Sequence, residues 1–141
     1  MEILAWLAAA VTVNAVCMAQ ITRWQAHRLR GWRIYVGEAL RLHGLASLEG
    51  AFCALATLYG LAWVRLNSNV ELALTALAFF IPYYFQLRVS TYRLAKSQRE
   101  RGRGIARANV RDIANGTFGY ALGLYVVSAG IAEMIWKMGN R

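Results

Sequence analysis

The sequence predicts an all-α integral membrane protein, a bundle of four transmembrane helices with both termini outside and two basic cytoplasmic loops. Three observations carry this prediction. Four apolar runs, 3–21, 44–64, 70–87 and 117–136, each hold 18 to 21 residues. At about 1.5 Å of rise per residue, that length approaches the roughly 30 Å of a hydrocarbon core. Thirteen of the 16 Lys and Arg residues fall in the segments 22–43 and 88–116, and loops rich in Lys and Arg stay cytoplasmic. Trp6, Trp63 and Trp136 then fall at outer ends and Trp24, Tyr92 and Tyr120 at inner ends, where the lipid–water interface favours them.

Composition bounds the rest. A chain that is 58% hydrophobic and 16% charged, with one proline, reads as a single membrane domain over 1–141 with no soluble domain beside it. Glu2 and the lack of Lys or Arg before the first run are the wrong charge for an export signal, so the first helix is expected to be retained. The formal charge of +9 and pI near 10.3 follow first from topology, and second from contact with anionic lipid headgroups.

The first span carries Ala8, Thr12, Ala15 and Ala19 on one face, where another helix can approach closely. Asn14 sits near mid-span, and a buried amide in lipid needs a protein partner. From 23 to 42, arginines alternate with Trp24, Trp32, Tyr35, Val36 and Leu40, as in a helix that lies along the interface or extends a span inward. Gly31 and Gly37 offer breaks. Glu38 and Arg41, three apart, can pair.

The second span retains Glu49 below a polar opening of Glu38, Arg41 and His43. The third holds Pro82, which removes a backbone hydrogen bond and predicts a kink. Beyond Arg88 the helix is expected to continue to Arg101, with a turn at Gly102 and Gly104. A short helix bearing Arg103, Arg107 and Arg111 is then expected to feed the fourth span. That span places Gly119 and Gly123 in GxxxG spacing, a pattern that permits close backbone contact between membrane helices. Glu133 and Lys137, one turn apart, can pair at its outer end.

Charged groups inside a span cost about 2.5 to 3.5 kcal/mol on insertion scales and face protein or water. Glu49 is the strongest candidate for chemistry. Arg41, Leu45, Glu49 and Cys53 form one stripe of an ideal helix, which describes either a pocket for a small zwitterionic or anionic ligand or an interhelical polar contact. Cys17 and Cys53 read as packed thiols. His27 and His43 are not placed for a haem. The arginine spacing does not fit a voltage sensor, and no metal, phosphate-loop, HExxH or CxxC motif is present.

The opening of the second span, Ala39-Leu40-Arg41-Leu42-His43-Gly44 followed by Glu49, together with length, basicity and layout, resembles the MAPEG family of membrane-associated proteins in eicosanoid and glutathione metabolism. Leu45 stands where that family carries asparagine. The resemblance implies a trimer binding glutathione at a cytoplasm-facing site between subunits, with no other cofactor. It implies ligand contacts from Arg41, Glu49, Arg88 and Tyr92, and an arginine near Arg103 that lowers the thiol pKa, since a nearby cation favours the nucleophilic thiolate. It makes the chain a glutathione-dependent transferase and leaves room for a lipophilic ligand.

Two other classes fit the same residues. One is a non-enzymatic oligomeric subunit, pore-forming or accessory, whose basic face holds anionic lipid, nucleic acid or an acidic protein. The other is a small transporter or channel lined by Glu49, Asn14 and Glu133, against which stands the absence of an inverted repeat. All three classes place the chain in a membrane as a multi-pass protein, the inner or plasma membrane if the source is bacterial.

Overall fold

The computed structural model describes residues 2–30, 32–64, 66–102 and 107–139, and the described chain is all helical, without a strand. Its helices are α1 (Glu2–Arg30), α2 (Val36–Leu61), α3 (Ser68–Glu100) and α4 (Arg107–Gly139). Contacts run from α1 to α2, α2 to α3, α3 to α4 and back from α4 to α1, so the helices close a ring. Within the ring, consecutive helices run antiparallel. Asn14 and Thr22 of α1 meet Ser47 and His43 of α2 in descending order, and Glu38 and His43 of α2 meet Gln98 and Tyr83 of α3 likewise. Two helices, α2 and α3, are long and apolar enough to cross a membrane.

The basic segments are largely helical. α1 continues to Arg30, and a four-residue link, 32–35, leads into α2. The link is held because Trp32 N donates to Ala26 O at 2.9 Å and Arg23 Nε donates to Ile34 O at 3.1 Å. Trp32 and Ile34 are buried with Ala26, Ala39, Ala95, Val110 and Ile113, which forms a core at the arginine-rich end. Gly37 lies inside the first turn of α2, where it breaks nothing, and Gly31 is outside the described residues.

α3 begins at an Asn67 cap, whose side chain accepts from Asn69 N at 2.9 Å. It passes through Pro82 as one continuous helix and stops at Gly102, whose φ of 79° suits glycine. The separate short helix expected before the fourth span is not formed. Arg107 and Arg111 belong to the first turns of α4 itself, and Arg103 lies outside the described residues.

Close helix approach occurs where the glycine pattern did not point. At Gly50 a Cβ would stand 2.7 Å from the Phe79 carbonyl oxygen, so α2 and α3 touch backbone to side of backbone there. Met18, Ala46, Phe80, Tyr83, Leu87 and Ala121 pack the adjoining core. Gly119 and Gly123 are exposed, and a Cβ at either would meet nothing within 4 Å. Their GxxxG face is therefore unused within the chain.

Gly50→Ala is expected to destabilise the protein by about 1 to 3 kcal/mol, because the new methyl would have to displace main chain. Gly119→Ala is expected to leave stability unchanged or raise it by up to about 1 kcal/mol through helix propensity. Thermal or denaturant unfolding of the two variants in one detergent checks both.

Candidate functional site

The polar residues of the interior set the rotation of each helix. Tyr83, His43, Thr22 and Thr117 are at most 1% exposed and come from α3, α2, α1 and α4 in turn. His43 Nδ1 lies 3.0 Å from the Tyr83 hydroxyl, and its Nε2 lies 2.7 Å from Thr22 Oγ1. Thr22 Oγ1 is 3.1 Å from Thr117 Oγ1, which donates to Gln25 Oε1 at 3.1 Å.

The proton directions follow from counting donors. Thr117 has one hydroxyl proton and gives it to Gln25, so Thr22 donates to Thr117. Thr22 must then accept from His43 Nε2–H, which leaves Nδ1 to accept from Tyr83 O–H. One tautomer of a neutral imidazole satisfies every group. The result is a single directed chain from Tyr83 to Gln25 that includes all four helices. Beside it, Asn14 Nδ2 donates to the buried Ser47 at 3.0 Å, a second tie between α1 and α2.

A groove of about 380 Å³ opens between the arginine-rich ends of α2 and α3. From α3 it takes Gln86, Ser90, Arg93, Leu94, Ser97 and Arg101, which recur at helical spacing. From α2 it takes Glu38, Arg41, Leu42 and Leu45. Arg41, Arg93 and Arg101 are exposed, and none of the three has a hydrogen bond or ion pair among the described residues. These three arginines line one cleft together with Ser90 and Ser97. Such a surface can hold carboxylate or phosphate oxygens through charge-assisted, bidentate hydrogen bonds.

Glu38 does not pair with Arg41. Its Oε2 accepts from Tyr35 N at 3.0 Å and from Gln98 Nε2 at 3.1 Å, and Gln98 Oε1 in turn accepts from Trp32 Nε1 at 2.6 Å. The link 32–35, the start of α2 and the end of α3 are thus joined at the edge of the groove.

The structure divides the residues singled out by sequence. Arg41 lines the groove. Glu49 is exposed two turns away along α2, about 12 Å at helical rise, and does not line it. Arg88 and Tyr92 share another side of α3. Arg88 donates to the Tyr84 hydroxyl at 3.3 Å and lies 5.6 Å over its ring, while Tyr84 donates to Asn115 of α4 at 2.9 Å. Arg88 therefore serves the α3–α4 contact, about 140° around α3 from Arg93. Arg93, Arg101, Ser90 and Ser97 were not singled out, although their four- and three-residue spacing on one face was available in the sequence.

A separate, mainly apolar cleft of about 500 Å³ lies between α1, α3 and α4, lined by Asn14, Cys17, Phe79, Phe80, Leu124 and Tyr125 among others. Among the described residues, no group of three His, Cys, Asp or Glu side chains could hold a metal ion. Comparison with protein-family models, with curated proteins and with solved structures finds no match to this chain.

His43→Leu is expected to cost about 2 to 5 kcal/mol, because it leaves the buried Tyr83 O–H without its acceptor and Thr22 Oγ1 without its donor, with only the bond to Thr117 remaining to Thr22. A double-mutant cycle with Tyr83→Phe checks the chain. The double variant is expected to be more stable than the sum of the single losses predicts, since it also removes the tyrosine hydroxyl that His43→Leu alone leaves unsatisfied.

Proposed function

We propose that this protein is a multi-pass membrane protein with four spans, both termini outside and its arginines in the cytoplasm. In this reading it binds a small anionic ligand of glutathione's class in the α2–α3 groove. The observation that carries the ligand reading is that Arg41, Arg93 and Arg101 line one cleft and have no ion-pair or hydrogen-bond partner among the described residues. Guanidiniums that line one cleft carry like charge, and an anion seated among them offsets that charge while supplying hydrogen-bond acceptors.

Two arrangements support the membrane reading. Large apolar side chains cover much of the outside, including Phe52 at 74%, Tyr59 at 73% and Trp63 at 80% exposure, while the interior holds the polar His43, Ser47, Thr22, Thr91 and Thr117 beside its apolar cores. A water-soluble bundle would withdraw such large apolar side chains from its surface, because exposed apolar surface costs about 25 cal/mol per Å² in water and nothing in lipid. The groove also lies at the end of the molecule where the two Arg-rich segments meet, which is the cytoplasmic end under the positive-inside rule.

The ligand class connects the groove to the MAPEG resemblance. In a thiol transferase of that kind the groove binds the peptide carboxylates, and a further arginine beside the sulfur favours the thiolate. Arg103, the residue suggested for that role, follows the groove's Arg101 by two positions. Glu49, Arg88 and Tyr92 lie outside the groove of one subunit, so a part for them in ligand binding requires the neighbouring subunit of an oligomer.

A second reading is a non-enzymatic oligomeric subunit whose basic end holds anionic lipid, nucleic acid or an acidic protein. It is favoured by α4, where Gly119, Gly123, Val126, Val127 and Met134 are exposed and unused within the chain. Here assembly through α4, and not a ligand, would be the purpose of the fold.

Thermal unfolding of the detergent-purified protein, with and without millimolar glutathione, separates the two readings. Binding at a hundredfold excess over Kd stabilises by about 2.7 kcal/mol, and Arg41→Ala is expected to abolish most of that gain. No stabilisation in the native protein would remove the glutathione reading. Cysteines introduced at Asn69 and Arg99 test the topology, with labelling by an impermeant maleimide in intact cells expected at the first and absent at the second.

A further inference from the structure

Another cavity, of about 450 Å³, lies between the 32–35 link and the arginine-rich end of α1. Part of its lining is fixed by the fold. Trp32 and Ile34 are buried, Trp32 N donates to Ala26 O, and Trp32 Nε1 donates to Gln98. Arg23 is fixed as well, because its Nε donates to Ile34 O at 3.1 Å and its Nη1 to Gln20 Oε1 at 3.0 Å. Both acceptors are neutral, so the positive charge is positioned at the cavity without being cancelled. The exposed Arg33 and His27 add further donors to the lining. Arg28 lies 5.7 Å over the ring of Trp24, another lining residue, and brings one more cation to the rim. No Asp or Glu lines this cavity among the described residues.

The cavity stands at the end of an apolar stripe. Val13, Val16, Gln20, Trp24 and His27 recur at three- and four-residue spacing on one exposed face of α1. Val16 and Val13 lie about 12 and 16 Å along the helix from Trp24. Along this face the order is valine, then tryptophan, then cation. A phospholipid leaflet has the matching order of acyl chain, interface and phosphate.

Resting on the membrane reading above, and independent of the α2–α3 groove, we propose that this cavity is a headgroup site for an anionic phospholipid. The phosphate sits against Arg23 and Arg33, and an acyl chain runs along Val16 and Val13. A choline or ethanolamine headgroup brings its own cation to a cavity that offers no carboxylate to receive it. The site therefore selects a headgroup without an amine, such as phosphatidylglycerol.

The test is native mass spectrometry of the full-length protein, delipidated in detergent and titrated with phosphatidylglycerol or with phosphatidylethanolamine of the same chains. Phosphatidylglycerol is expected to be retained about tenfold more strongly, as befits hydrogen bonds between charged groups. Arg33→Gln is expected to remove most of that preference. Arg93→Gln, an equal loss of charge in the α2–α3 groove, is expected to leave it unchanged. Equal effects of the two variants would reduce the preference to the general charge of the basic end and overturn the site. Displacement of the lipid by millimolar inorganic phosphate would identify a free-phosphate site and overturn the lipid assignment. Equal retention of both lipids overturns the proposal while the membrane reading stands. If neither lipid is retained and the protein stays dispersed after detergent removal, the membrane reading fails with it.

Discussion

A neutral hydrogen-bond chain through the centre of the bundle is the constraint on which the rest of this structure depends. In an apolar surrounding, helices gain little from hiding one hydrophobic face instead of another, so packing alone specifies rotation weakly. Polar groups inside do specify it, because each unpaired donor or acceptor in a dry core costs about 1 to 3 kcal/mol. Tyr83, His43, Thr22, Thr117 and Gln25 satisfy one another only at one rotation and one height of each helix. Turning α2 by one residue, about 100°, would withdraw His43 from both neighbours.

The groove is a consequence of that register. With His43 pointing inward, Glu38, Arg41 and Leu45 of α2 fall on the side facing α3's Ser90, Arg93, Ser97 and Arg101. The Trp32–Gln98–Glu38 network repeats the device one layer further toward the basic end. On the far side of the His43 layer from the basic end, Gly50 and Ala46 bring α2 close to α3, so the same pair of helices meets tightly at Phe79 and leaves a cleft where long charged side chains replace small ones. Tight contact and open groove thus lie on one interface, ordered along it by side-chain size.

The all-helical character and the long apolar helices α2 and α3 were legible in the sequence because the length of an apolar run is a property of a whole segment. The continuation of α3 to Glu100 and the turn at Gly102 follow from local chemistry alone. The site was less legible. His43 and Tyr83 look like an edge residue and an ordinary span aromatic, since a polar contact between helices depends on rotations that a single sequence does not state. The Arg41–Glu49 stripe is real as helical periodicity, but the groove takes from α2 only Glu38, Arg41, Leu42 and Leu45, and Glu49 lies one turn beyond its end. Glycine spacing misled for a related reason. GxxxG at Gly119 describes a surface that could be approached, whereas Gly50, without a spaced partner, is the one that Phe79 approaches.

The most direct test of the central chain is the state of the His43 ring, read from ¹⁵N chemical shifts of selectively labelled protein in a lipid bilayer. The account predicts one neutral tautomer at neutral pH, with a protonated Nε2 coupled to a hydroxyl acceptor and an unprotonated Nδ1 accepting from Tyr83. A Tyr83→Phe variant should shift the Nδ1 resonance and leave Nε2 nearly unchanged. The opposite tautomer, or rapid averaging of both with solvent, would contradict the directed chain and with it the argument that this interaction sets the register of the four helices.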